Sequence, residues 1–292
     1  MLIAYSMPKV SGLFLHSGGA AGQAWLSSDN GGACFDEKPG RVSRLRWRND
    51  AVPAVGHWVA VRVDMPLTKL RVIAFLGLKG VPEGAMVRVY GQRDADAAPT
   101  YAFNNTNQAN VVRLADGTLA AWMVLDAAAE PVKRLEWRFY NQQGAATWAT
   151  AATIIDIGEL VAMPAADIAH QSDWAVGLID PTQAERSLAS QLATNPRQPY
   201  RQLTANFTPD SIAAVRGAGL PNGMDWERLR AALTMDRRCA VIPRWRTPAG
   251  ALDAVELPRT AIYGVGRIAE IQHQGGDYYS SSITAMEVPA LY

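Results

Sequence analysis

The sequence predicts a mainly β protein in two parts. A sandwich or barrel of strands comes first, and a smaller domain of strands broken by one or two short helices follows. Three observations carry this. The chain has 292 residues, about two domains at ~150 residues each. Apolar runs of strand period recur through the first half, with Gly, Pro, Asn and Asp between them. Clear helix start and stop signals come only late, after Thr208.

The strands of the first half follow in order. HWVAVRVD (57–64) alternates, with Trp58, Ala60, Arg62 and Asp64 on one face and His57, Val59, Val61 and Val63 on the other. TKLRVIAFLGL (68–78) is more continuously apolar and suits a central strand. AMVRVYG (85–91) alternates again after the turn residues Pro82-Glu83-Gly84. LAAWMVLD (119–126) and VKRLEWRFYN (132–141) are two further strands; Leu135, Trp137 and Phe139 share a face, which reads as core. IIDIGELVAMP (154–164) closes the series. Ile155 and Ile157 share a face, and Pro164 begins a shift to small and polar residues. The expected division is therefore a first domain over 1–165 with an irregular segment at 1–40, a linker at 166–173, and a second domain over 174–292.

In the second domain, RSLASQLAT (186–194) and PYRQLTANF (199–207) flank Asn195-Pro196 and read as a hairpin, although TQAERSLASQLA also suits a helix. TPDSIAAVRGAG starts with Thr208-Pro209-Asp210 and ends in glycines, a short helix. MDWERLRAAL places Met224, Leu229 and Leu233 near one face beside Trp226, a second short helix. Strands return with CAVIPRW, RTAIYGVGRIAEIQHQ and YYSSSITAMEV.

Composition narrows the function. Lys+Arg is 28 and Asp+Glu is 27, a formal charge of +1, without the basic excess of a nucleic-acid binder. No apolar run approaches the ~20 residues of a membrane-spanning helix. Cys34 and Cys239 lie far apart in sequence and read as two free thiols of a reducing compartment. The start of the chain lacks the pattern of a signal peptide, so synthesis in a cytoplasm is expected.

No motif fixes a reaction. HSGGAAG (16–22) is rich in glycine, but no helical period and no Gly-Lys-Ser/Thr ending follow it, so a loop is expected rather than a phosphate cradle. His16 beside Ser17 lacks the nucleophile-elbow pattern, since Leu15 stands where its first glycine belongs. The other histidines, His57, His170 and His273, are isolated, and no zinc spacing is present. Asp156 and Glu159 are three apart and point to opposite faces of a regular strand, which weakens them as a glycosidase pair. The expectation is no catalytic residue, no metal and no cofactor.

Tryptophans crowd the first domain and the linker. A sugar-binding module uses exposed rings as platforms, whereas core and interface positions use the same rings for their area and polar edge. Core plus interface is the favoured reading. Trp25, Trp58, Trp148 and Trp174 are the candidate ligand or interface aromatics.

Two resemblances follow. The order VRVDMPLTKLRVIAFLG, then GAMVRVYG (84–91), LEWRFYN and IDIGELVA resembles the galactose-binding-like jelly-roll sandwich over roughly residues 40–165. DWAVGLIDPTQAERSLASQL through PRQPYRQLTANF, a short helix, RRCAVIPRW and YYSSSITAMEV is similar to tail-tip proteins of long-tailed bacteriophages. The matching positions are Arg201, Leu203, Phe207, Pro243 and Glu287. A jelly roll joined to a small β-barrel-like domain looks like a distal tail or baseplate-hub component. The domain order differs from the commonest arrangement. The resemblance implies a structural protein of the virion tail, made in the host cytoplasm. It also implies a homo-oligomeric ring and contacts to tail tube, tape-measure or hub proteins. The alternative is a carbohydrate-binding module that recognises a host-surface glycan.

Overall fold

The computed structural model of the chain describes residues 1–18, 28–29, 31–47, 53–150, 152–186, 192–195, 197–234 and 237–289. The architecture is mainly β, a sandwich and a smaller β domain. It divides into two compact units, Ser6–Ala165 with Trp245–Arg259, and Met1–Tyr5 with Ala166–Arg244 and Thr260–Leu291.

The sandwich faces one antiparallel sheet with others. Its five-stranded sheet runs in the order Ser11–Gly18, Trp58–Thr68, Val132–Gln143, Ala85–Gln92, Gln108–Asn110. Its four-stranded sheet runs Glu159–Met163, Val72–Leu78, Leu119–Val124, Val112–Arg113. Val72–Leu78 is paired on both sides and buried along its whole length, so its unbroken apolar run needs no alternation. Across the sandwich, Val59, Val61, Val63, Val87, Val89, Leu135, Trp137 and Phe139 meet Ile73, Phe75, Ala121, Met123, Leu160 and Ala162. The Phe75 and Phe139 rings pack edge to face at 5.3 Å.

The closing stretch is two strands rather than one. Ile154–Ile157 pairs with Ser43–Arg46, and Glu159–Met163 pairs with Val72–Leu78. Gly158 makes the change of partner possible, because a Cβ there would stand 2.4 Å from the Pro39 carbonyl oxygen and 3.0 Å from that of Leu76. Ile155 and Ile157 are core residues. Asp156 receives Arg44 at 2.7 and 2.9 Å, while Glu159 is fully buried.

The smaller unit is built on a seven-stranded antiparallel sheet, in the order Ala165–Asp167, Leu2–Ala4, Cys239–Ile242, Ile262–Ile268, Ser282–Glu287, Tyr200–Asn206, Ala175–Ile179. Two helices, Ile212–Arg216 and Trp226–Ala232, cover its core. Asp225 caps the second by accepting the Arg228 N–H at 2.8 Å. That helix buries Trp226 against Phe207 at 5.1 Å, together with Leu229 and Leu233. The Arg201, Leu203, Phe207 and Glu287 positions meet here: Leu203 and Phe207 enter the core, and Arg201 pairs with Glu287 on the neighbouring strand. Pro243 directly follows the Cys239–Ile242 strand.

Four expectations need correction. The segment 1–40 is not all irregular: Leu2–Ala4 is a fully buried strand of the smaller unit, and Ser11–Gly18 is an edge strand of the sandwich. Three residues carry no readable period, and their register comes from the Cys239–Ile242 strand near the other end of the chain. The expected linker at 166–173 begins as strand, with Ala166 and Ile168 in the core of the smaller unit. The hairpin joins Gln183–Arg186 to Leu192–Asn195, and Tyr200–Asn206 instead lies between Ala175–Ile179 and Ser282–Glu287. A further helix, Glu256–Thr260, adds to the one or two short helices expected.

Burial pushes the Glu159 carboxyl up to about 8. The backbone N–H groups of Glu37 and Lys38 face it and moderate the shift, yet neither of its oxygens reaches hydrogen-bond geometry. Burial likewise pushes the Cys34 and Cys239 thiols up to about 12, so both are inert at neutral pH. Between the unfolded value of 4.5 and about 8, folded Glu159 holds a proton that the unfolded chain has released. Its stabilising effect is therefore present at acid pH and is lost as pH rises through that window. Thermal melts should show a smaller stability difference between pH 5 and pH 8 in Glu159→Gln than in the parent; an equal difference would refute the neutral carboxyl. Gly158→Ala should cost about 2 kcal/mol or more in urea denaturation, since the obstructing atoms are backbone.

Candidate functional site

The candidate site is the outer face of the five-stranded sheet. Alternation that sends Val59, Val61, Val63, Leu135, Trp137 and Phe139 inward sends Trp58, Arg62, Asp64, Arg134, Glu136, Arg138 and Tyr140 outward. Ala85–Gln92 adds Arg88 and Tyr90, and Ser11–Gly18 adds Phe14 and His16.

These side chains form a row across four strands. His16 stacks on Trp58 with ring centroids 5.6 Å apart and planes 20° apart. From the strand on the other side, the Arg138 guanidinium lies 4.0 Å from the Trp58 centroid. The same guanidinium lies 4.0 Å from the Tyr90 centroid. Arg88 lies 5.2 Å over Tyr140. A guanidinium between two rings is held by their π-electrons while its edge remains a donor.

Glu136 anchors the row from below. Its side chain is 0% exposed. One oxygen accepts Arg62 Nε at 2.6 Å and the other accepts Arg138 Nε at 2.5 Å. Two guanidinium partners offset the desolvation of this carboxylate. Asp64 pairs with Arg134, whose guanidinium also donates to Gln92 at 3.1 Å. Four arginines (62, 88, 134, 138) against two carboxylates (Asp64, Glu136) leave the face at +2. Burial first, and then the Arg62 and Arg138 charges, hold His16 below its ordinary pKa, so it is neutral at pH 7 and does not repel the arginines. Arg88 Nε is buried without a hydrogen-bond partner among the described residues.

Of the four candidate aromatics, Trp58 belongs to this face. Trp148 packs against the sandwich core, edge-on to Trp47 at 6.0 Å, and donates its Nε1–H to the Tyr140 carbonyl at 2.7 Å. Trp174 packs against the core of the smaller unit. Trp25 lies outside the described residues. Sequence reasoning missed Tyr90, Arg138, Glu136 and His16 as neighbours of Trp58; the polar half of each alternating strand was the available signal. His16 turns to Trp58, and no group of three or more His, Cys, Asp or Glu that could hold a metal occurs among the described residues. No helix is long and apolar enough to cross a membrane among the described residues.

The sandwich also carries a cleft of about 340 Å³ lined by Arg71, Asn105, Thr106, Asp126, Trp245 and Leu252, among others. Beside it, Phe103, Asn104 and Asn105 take positive φ in succession (49°, 56° and 65°). Asn104 donates to Asp126 at 3.2 Å and Thr106 donates to the Phe103 carbonyl at 2.6 Å, which holds this turn. Both guanidiniums near the ring, of Arg71 at 5.1 Å and Arg246 at 3.8 Å, lie over Trp245.

No protein-family model matches the chain, and no curated protein matches it. Among solved structures it is similar to chitosan-binding module 2 derived from a chitosanase/glucanase of Paenibacillus sp. IK-5, in complex with chitotriose. Identity is 18%, the match covers 52% of this chain and 95% of that chain, and the TM-score is 0.28. A likeness of that size carries no functional conclusion.

Removing Glu136 would leave two guanidiniums packed together over the sheet without their shared carboxylate. Glu136→Ala should destabilise the fold by about 3–5 kcal/mol in chemical denaturation. A loss below about 1 kcal/mol would mean the arginines find water instead.

Proposed function

We propose that the chain is a non-catalytic structural subunit of a bacteriophage tail tip. It assembles as a homo-oligomeric ring, and its sandwich docks an acidic face of a neighbouring tail protein. The observation that carries the docking part is the His16–Trp58–Arg138–Tyr90 row held over the Glu136 carboxylate. Interface centres favour Trp, Tyr and Arg, because such side chains offer large contact area with little freedom left to lose. Here the packing has already fixed their rotamers, so little ordering entropy remains to oppose association. The net +2 favours a partner that brings carboxylates.

The tail-tip part is supported by the sequence resemblance at Arg201, Leu203, Phe207, Pro243 and Glu287. A glycan-binding role for the sandwich has less support at Trp58. Its ring is flanked by His16 from one neighbouring strand and by Arg138 from the other, where a pyranose would need an open face.

Mass photometry and negative-stain electron microscopy of the purified chain should show a closed ring. A monomer at high concentration, with no ring in the presence of tail-tube, tape-measure or hub proteins, would overturn the reading. Tyr90→Ala and Trp58→Ala should weaken the partner complex at least about tenfold with the fold retained. Affinity should also fall as salt rises, because salt screens the attraction between the +2 face and an acidic partner.

A further inference from the structure

We infer that the smaller unit carries a binding site for a neutral saccharide, distinct from the arginine face of the sandwich. The site is a cleft of about 300 Å³. It lies where Tyr200–Asn206, Ile262–Ile268 and Ser282–Glu287 come to one end of the seven-stranded sheet, beside the small sheet of Gln272–Gly275 and Tyr278–Ser280. A volume of that order is at the lower end for small-ligand pockets and fits about one sugar unit.

The lining decides the ligand class. Four primary amides face the cleft, those of Gln171, Asn206, Gln272 and Gln274. Three consecutive serines, 280 to 282, add hydroxyls. Amides and hydroxyls both donate and accept, which matches the dual character of a sugar hydroxyl and gives no purchase to an isolated charge. Among the described residues, Glu270 is the ionisable side chain in the lining. Pro209 and Ala269 supply a small exposed apolar patch against which a pyranose can lay its C–H groups, and Phe207 lies buried behind it.

Part of the lining is fixed and part is open. Gln274 donates to the Ser280 hydroxyl at 2.5 Å, and Asn206 donates to Asp173 at 2.8 Å, leaving the Asn206 carbonyl as an acceptor. The Ser281 hydroxyl donates to the Ala269 carbonyl at 3.1 Å, which fixes the floor. Among the described residues, the side-chain amides of Gln171 and Gln272 make no hydrogen bond. Gln272 pairs in register with Ser280, which places it beside the serine run at the mouth of the cleft. Open amides beside the serine hydroxyls and a small apolar patch form a polyol site.

Saturation-transfer NMR on the intact chain tests this, with glucose, galactose and N-acetylglucosamine as probes and sialic acid as the anionic comparator. Saturation should reach at least one neutral sugar and should exceed that to sialic acid. The double variant Gln171→Leu with Gln272→Leu should weaken that binding at least about tenfold, from the lost hydrogen bonds. Ser282→Ala, a smaller change, is the second variant if the first fails to fold, and a several-fold loss is expected. No transfer to any neutral sugar, stronger transfer to sialic acid, or full binding in the folded variants would overturn the proposal. The Trp58→Ala chain should bind the sugar unchanged; loss of binding there would place the site on the sandwich and overturn the assignment to the smaller unit. Ring formation is a separate measurement, so failure of one proposal leaves the other standing.

Discussion

The alternation of one strand, Val132–Gln143, sets both the inside and the outside of the sandwich. Leu135, Trp137 and Phe139 face inward and are fully buried. Glu136 and Arg138 face outward between two neighbouring strands. A slip of one residue would send Glu136 into the core and Trp137 to the surface, so the register of the core and the geometry of the outer face are one constraint. The paired strands fix it from both sides, through Trp137 opposite Val61 and Val89.

The outer face then follows from local electrostatics. A carboxylate with no exposed surface needs charged partners, and Arg62 and Arg138 supply them from adjacent strands. Once Arg138 is tied at Nε, its flat guanidinium can lie only between the neighbouring rings. Trp58 and Tyr90 occupy those places, and His16, kept neutral, extends the row by stacking on Trp58. The row is therefore held from several strands at once, by ion pairs and ring contacts together.

The smaller unit solves a different problem. Its sheet recruits Leu2–Ala4, Ala165–Asp167 and strands from the last third of the chain around one core. One of its ion pairs, Arg201 with Glu287, bridges two neighbouring strands much as Glu136 does in the sandwich. The end of the same sheet is lined mainly by uncharged polar side chains, with Glu270 among them.

Period and composition determined the mainly β class, the inward valines of residues 57–64, the shared face of Leu135, Trp137 and Phe139, and the two short helices after Thr208. These depend on neighbours within a few residues, which a linear pattern records. The tertiary structure decided the rest. Leu2–Ala4 is a strand because a distant strand completes its hydrogen bonds. Gly158 is where one apolar run changes sheets because two carbonyls crowd it. Trp58 became part of a site because His16, Arg138 and Tyr90 arrive from three other strands, while Trp148 and Trp174 turned to cores. Strand order brings such residues together, and it is set by loop closure and long-range pairing, which the spacing of residues along the chain does not encode.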